Sequence, residues 1–220
     1  MIAYLIYFFR EVPLFIGLVA SVIFFLYSRH LEWRERVAAS LIVVYFFFDA
    51  LSNWISYHHH TNQWLYNLAC PVEVLIPLWV YYQIITSRLV KRMVPVFALL
   101  YCVGYVLNRM YVQGSDHLNT FTLLPAMAVL AILAFLHLEQ CMADLDHSPF
   151  DNFFFWFSLA NLIDNTGGFS YISTLPWFAY QHPHVVSRLK MVNDFFYCSW
   201  FVTVSIGLIW KKKALKSFSL

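Results

Sequence analysis

Seven stretches of about twenty largely apolar residues follow one another along the chain, and the connections between them are too short to fold alone. They run near 11–28, 37–57, 63–86, 93–109, 119–138, 152–174 and 188–210. Inside hydrocarbon a backbone has to satisfy its own polar groups, so stretches of this length read as helices. The expected fold is all-α: one transmembrane domain over 1–220, a polytopic bundle of seven helices. Charge agrees with this. Charged residues make up 12% of the chain, about half of the roughly 25% that a soluble domain carries. That scarcity excludes a soluble enzyme, a disordered chain and a nucleic-acid-binding domain. No cleavable signal peptide is expected, because Met1–Phe9 lacks a basic start and a small-residue cleavage site.

Two of the seven stretches are impure. Arg10, Glu11 and Pro13 interrupt the first, so Met1–Phe9 either extends it or lies in the interface. Asn161, Asp164, Asn165, Gly167 and Gly168 fall inside the sixth, and the glycine pair is expected to loosen it. Pro71 and Pro77 flank Glu73 in the third, where each proline removes one backbone donor.

The basic residues set an orientation. Arg29, Arg34 and Arg36 lie in the first connection, Arg88, Lys91 and Arg92 in the third, and Lys211, Lys212, Lys213 and Lys216 after the seventh helix. In a seven-helix chain these ten share one side, against four Lys and Arg on the other. Positive residues stay in the cytoplasm, which predicts the N-terminus outside and the C-terminus cytoplasmic. The fifth connection, 140–150, has no Lys or Arg and is the one exception.

Four carboxylates fall inside the spans: Asp49, Glu73, Asp164 and Asp194. An acidic residue at a helix centre costs about 2.5–3.5 kcal/mol on insertion scales, so such residues face the bundle interior and find partners. By count along each span, all four lie between the outer interface and the midplane. Amides accompany them. Asn53 lies one turn above Asp49. Ser158, Asn161, Asp164, Asn165 and Gly168 stripe the sixth helix, and Lys190, Asn193, Asp194 and Cys198 the seventh. Lys190 and Asp194 have i,i+4 spacing. Asn67 enters the third helix off the face of Glu73.

Two readings of these groups stand side by side. In one, Asp49, Asn53, Asn67, Glu73, Asn161, Asp164, Asn165, Lys190, Asn193 and Asp194 line a polar pocket open to the outside. In the other they are interhelical hydrogen-bonding groups that only lock the bundle. Histidines add a secondary reading. His58, His59, His60, His182 and His184 map to the outer side and form the candidate metal set, although no zinc motif spaces them. Retinal chemistry is not expected, since Lys190 lies near the outer end of the last span and no other lysine falls inside one. His137, near the inner end of the fifth span, reads as packing. The four cysteines show no paired spacing, no nucleotide or hydrolase motif appears, and no cofactor is expected.

Trp64–Leu65–Tyr66–Asn67 at the start of the third helix, Phe155–Trp156–Phe157 at the entry to the sixth, and the Asn193 segment resemble a diffuse group of small seven-helix bacterial inner-membrane proteins. The resemblance implies the architecture over the whole chain and a role in sensing, and it transfers no catalytic residue. The expectation is therefore a non-enzymatic, receptor-like module in the bacterial cytoplasmic membrane. It would meet membrane lipid, a small polar or cationic ligand or protons from outside, and a protein partner at the Arg-rich cytoplasmic loops. The alternatives are a small secondary transporter coupled to protons or cations, a structural subunit of a membrane complex, and an intramembrane hydrolase.

Overall fold

The computed structural model describes residues 2–58, 62–114, 117–144, 148–181 and 183–217. Within them it describes all side chains except those of 2–10, 176, 179–181, 183–184, 187 and 214–217. Among the described residues the chain forms seven α-helices: α1 (Ile2–Tyr27), α2 (Trp33–His58), α3 (Gln63–Ile84), α4 (Arg88–Leu107), α5 (Thr120–Ala143), α6 (Phe153–Gln181) and α7 (Pro183–Ser217). Six are long and apolar enough to cross a membrane. The exception is α6, whose apolar run is diluted by its polar stripe. The chain is thus compatible with a multi-pass helical membrane protein.

Several boundaries differ from expectation. The first helix starts at Ile2 rather than near residue 11 and runs through Pro13 without a break. Likewise α3 runs continuously through Pro71 and Pro77. A proline loses one hydrogen bond, and one lost bond does not end a helix that its neighbours hold. The fourth helix ends in a π turn at Asn108–Val112. The last helix is the longest, at 35 residues. Gly167 and Gly168 do not interrupt α6, which is 29 residues long.

The helices close a ring: α1 packs on α2, α2 on α3, α3 on α5, α5 on α6, α6 on α7, and α7 back on α1. The fourth helix stands outside it, against α3 and α5, and its other face leaves Leu89, Met93, Val96, Leu99, Leu100 and Val103 exposed. Such a face suits lipid.

Contacts between helix ends show which ends meet. At one end Lys211 pairs with Glu35 at 2.9 Å and the Lys212 ammonium lies 4.4 Å from the Tyr27 ring centroid. At that end, too, Trp33 packs on Trp79 at 5.1 Å and Thr86 N–H donates to Gln140 Oε1 at 3.2 Å. This basic end gathers the connections holding Arg29–Arg36 and Arg88–Arg92, as the charge pattern implied. At the opposite end Asn62 Nδ2 donates to Ser52 Oγ at 2.6 Å, tying α2 to α3.

Aromatic residues fill the core: Trp200, Tyr81, Phe153, Phe157 and Phe201 are fully buried. Two glycines let α6 and α7 approach across them. A Cβ on Gly167 would fall inside the Phe196 ring, and one on Gly207 would meet Trp156 Cβ at 2.6 Å. The glycine in α6 is therefore a close-packing site, which is why the helix does not loosen there.

Candidate functional site

Three of the four intramembrane carboxylates converge. Glu73 on α3 lies within electrostatic reach of both Asp49 on α2 and Asp164 on α6, and Asp164 within reach of Asp49. Each sits well inside its helix. Asp49 is residue 17 of 26, Glu73 residue 11 of 22 and Asp164 residue 12 of 29. The trio is therefore central rather than displaced toward one end. All three side chains are only partly covered, although helices surround them.

Charge in this space is one-sided. Among the described residues no cation reaches Glu73 or Asp164. Asp49 feels Lys190, whose ammonium is already held by Asp194 at 2.8 and 3.1 Å. The fourth acid is thus separate in kind: it completes a local i,i+4 pair whose lysine is 57% exposed, and it meets the trio only through Asp49. A pair this open is worth about 0.5 kcal/mol.

Tyrosines frame the trio. The Tyr197 hydroxyl on α7 is turned toward Asp49 at hydrogen-bonding range. Tyr45, on the same helix as Asp49, lies within reach of Glu73 and Asp164. Its ring packs 4.7 Å from Trp200 and 6.1 Å from Tyr197, centroid to centroid. Tyr66 reaches Ser52 and lies near Asp49 and Glu73. A set of carboxylates among aromatic faces suits a positive ligand, since ring quadrupoles and carboxylates both attract a cation. The carboxylates are not tightly enough grouped to share one metal ion: among the described residues no three His, Cys, Asp or Glu side chains are.

The amides divide into two groups. Asn161 Nδ2 donates to Phe157 O at 2.7 Å, and Asn165 Nδ2 to Asn161 O at 2.8 Å. Asn53 Nδ2 donates to Asp49 O at 3.1 Å. These amides bond back onto their own helices. Asn193 lies beside Gly168, across the α6–α7 interface. Asn67 lies elsewhere, fully buried at the end opposite the one that gathers Glu35 and Lys211. Its Nδ2 donates to His117 O at 2.9 Å, its Oδ1 accepts Asn119 N–H at 3.0 Å, and its carbonyl accepts the Tyr105 hydroxyl at 2.6 Å. That is a clamp joining α3, α4 and α5. Asn108 extends it by donating to Asn119 and to Gln113.

Of the candidate metal histidines, His58 is exposed and its Nδ1 lies 2.9 Å from Trp54 O. His59, His60 and His182 lie outside the described residues, as does the side chain of His184.

Composition hid part of this site. Tyr45, Tyr66 and Tyr197 are three of 44 aromatic residues, and nothing in their spacing marks them. Tyr45 stands one helical turn from Asp49, a relation legible in the sequence once Asp49 is singled out. His137, which reads as packing in the sequence, is 5% exposed and lies 2.9 Å through Nδ1 from Ser158 Oγ, which is fully buried.

Comparison with protein-family models, with curated proteins and with solved structures gives no match.

Proposed function

We propose that the chain is a non-enzymatic, receptor-like protein of the bacterial cytoplasmic membrane whose central site binds a small organic ammonium ion. One observation carries this reading: three carboxylates from three helices lie within electrostatic reach of one another beside aromatic rings, and two of them meet no cation among the described residues. Intramembrane acids are costly, and a positive guest offsets their mutual repulsion. The absence of a tight metal-ligating group among the described residues favours an ammonium over a bare metal ion. The N-terminus is outside and the C-terminus cytoplasmic, so the basic end faces the cell interior and offers a partner protein its Arg-rich turns.

The test is thermal unfolding of the purified protein in detergent with tetramethylammonium chloride against sodium chloride at equal ionic strength. Tetramethylammonium at a hundred times its dissociation constant stabilises by about 2.7 kcal/mol and raises the midpoint by several degrees. Asp164→Asn and Glu73→Gln abolish the difference. Equal midpoints in the two salts for the native protein remove the ammonium reading. Orientation has its own check. A membrane-impermeant maleimide added to intact cells labels His117→Cys and leaves Ser148→Cys unlabelled.

A further inference from the structure

The turn between α1 and α2 gathers positive charge that the bundle leaves unneutralised. Residues 28–36 and 211–213 supply six Lys and Arg against two acids. One of the acids, Glu35, is taken by Lys211 at 2.9 Å, the only ion pair among the described residues at this end. Three of the remaining cations meet neighbouring positions of the turn. The Lys212 ammonium lies 4.4 Å from the Tyr27 ring centroid. The Arg36 guanidinium donates to Ser28 O at 3.3 Å and to Leu31 O at 3.2 Å. Arg29 follows in sequence, its Nε donating to His30 Nε2 at 3.3 Å. A ring face, two carbonyls and an imidazole hold these heads in place without removing their charge. Among the described residues no carboxylate pairs with any of the three.

Apolar surface runs directly into this cluster. Phe15, Leu18, Val22 and Phe25 are spaced to share one face of α1 and are 48–68% exposed. Arg29 comes one turn after Phe25, where the helix has ended. An uncovered apolar strip about 15 Å long therefore leads to fixed cations. At the same end Trp33 is 59% exposed and packs on Trp79 at 5.1 Å, as an aromatic residue at the membrane–water interface does.

Topology asks only that positive residues stay on one side of the membrane. It does not ask that they be fixed beside one another, or that a lipid-facing strip lead to them. A soluble anion makes no use of the strip, and a cytoplasmic protein does not reach down it. A phospholipid fits both parts, since its phosphate meets the cations while a chain lies along α1.

We propose that the α1–α2 turn and the end of α7 form a binding site for an anionic phospholipid of the surrounding leaflet. Its phosphate lies against Arg29, Arg36 and Lys212, and one acyl chain follows Phe25, Val22, Leu18 and Phe15. Lipid bound here ties the start of α2 to the end of α7 a second time, beside the Glu35–Lys211 pair. The site rests on the chain spanning a membrane and is independent of the ammonium site.

The test is thermal unfolding of the purified full chain in dodecyl maltoside at fixed ionic strength. It is titrated in turn with dioleoyl phosphatidylglycerol, dioleoyl phosphatidylcholine and inorganic phosphate. Phosphatidylglycerol raises the midpoint by several degrees and saturates. Phosphatidylcholine has the same chains without net charge, phosphate has charge without chains, and neither moves the midpoint. Lys212→Gln and Arg29→Gln each raise the phosphatidylglycerol concentration for half the shift about fivefold, the loss expected for one cation near an anionic lipid surface. Arg92→Gln removes the same charge from α4, at the same end, and leaves that concentration unchanged. Arg29 is exposed, so its variant carries the test if Lys212→Gln fails to fold. No shift of the native protein with phosphatidylglycerol overturns the site. So does an equal shift with phosphatidylcholine, which means bulk lipid packing, or with phosphate, which means a free-anion site. An unchanged half-shift concentration in folded Lys212→Gln and Arg29→Gln overturns it too, as does an equal loss in Arg92→Gln, which means net charge alone.

Discussion

Asp49 and Glu73 are carboxyl groups in the same space with different neighbours. Asp49 has the Tyr197 hydroxyl beside it and Lys190 within reach, whereas Glu73 meets other carboxylates. Removing a partner and removing a repulsion have opposite signs. Tyr197→Phe is expected to destabilise the protein by about 1–2 kcal/mol, since it takes a donor from a carboxylate. Glu73→Gln is expected to raise the unfolding midpoint in the absence of ligand, because it removes a carboxyl group whose ionisation two neighbouring carboxylates oppose. Lys190→Met, at an exposed pair, is expected to change stability by no more than about 0.5 kcal/mol. Thermal unfolding in one detergent compares all three. Sequence spacing identified the four acids and paired Lys190 with Asp194. It did not separate Asp194 from the trio, because that depends on how α7 is rotated against α2. Nor did it mark His137, whose partner Ser158 is 21 residues away on another helix.

Among the elements, α6 departs most from a typical span. It has the polar stripe, and its glycines do not serve the purpose that glycine content alone suggests. Gly167 and Gly207 are sites where neighbouring rings occupy the space of a side chain. Gly167→Ala and Gly207→Ala are therefore expected to destabilise by about 1–3 kcal/mol each through overpacking. Gly168→Ala is expected to be milder, because the atom in its way is the terminal methyl of Met127, a flexible side chain. Hydrophobic runs fix the number of helices and the rough position of each. They do not fix ends set by tertiary contacts, which is why α1 and α7 outrun their apolar cores by many residues. A proline inside a run is equally ambiguous in sequence: Pro13, Pro71 and Pro77 all sit in unbroken helices, held by packing.

For the molecule as a whole, the basic end has a specific lock. Glu35 is 3% exposed, accepts Glu32 N–H at 3.0 Å and pairs with Lys211 at 2.9 Å, joining the start of α2 to the end of α7. Removing one partner of a covered ion pair leaves the other uncompensated. Lys211→Met is expected to cost about 3 kcal/mol, read as a lower unfolding midpoint, while Lys213→Met, at an exposed position, leaves the midpoint unchanged. The gathering of basic segments at one end was legible from charge alone. Closure of the ring with α4 left outside was not, since every span is apolar enough to face either lipid or protein.

That exclusion of α4 has a consequence in time. The third and fifth helices are neighbours in the finished bundle, but a whole helix is synthesised between them. Asn67 emerges early in α3, and its clamp partners at His117 and Asn119 follow 50 and 52 residues later. At synthesis rates of about 5–20 residues per second, that interval is roughly 3–10 seconds. During it a buried amide has to be kept from other partners while α4 passes by. The order in which the chain leaves the ribosome and the order in which its helices meet are therefore different. The clamp at Asn67 can close only after α5 has begun.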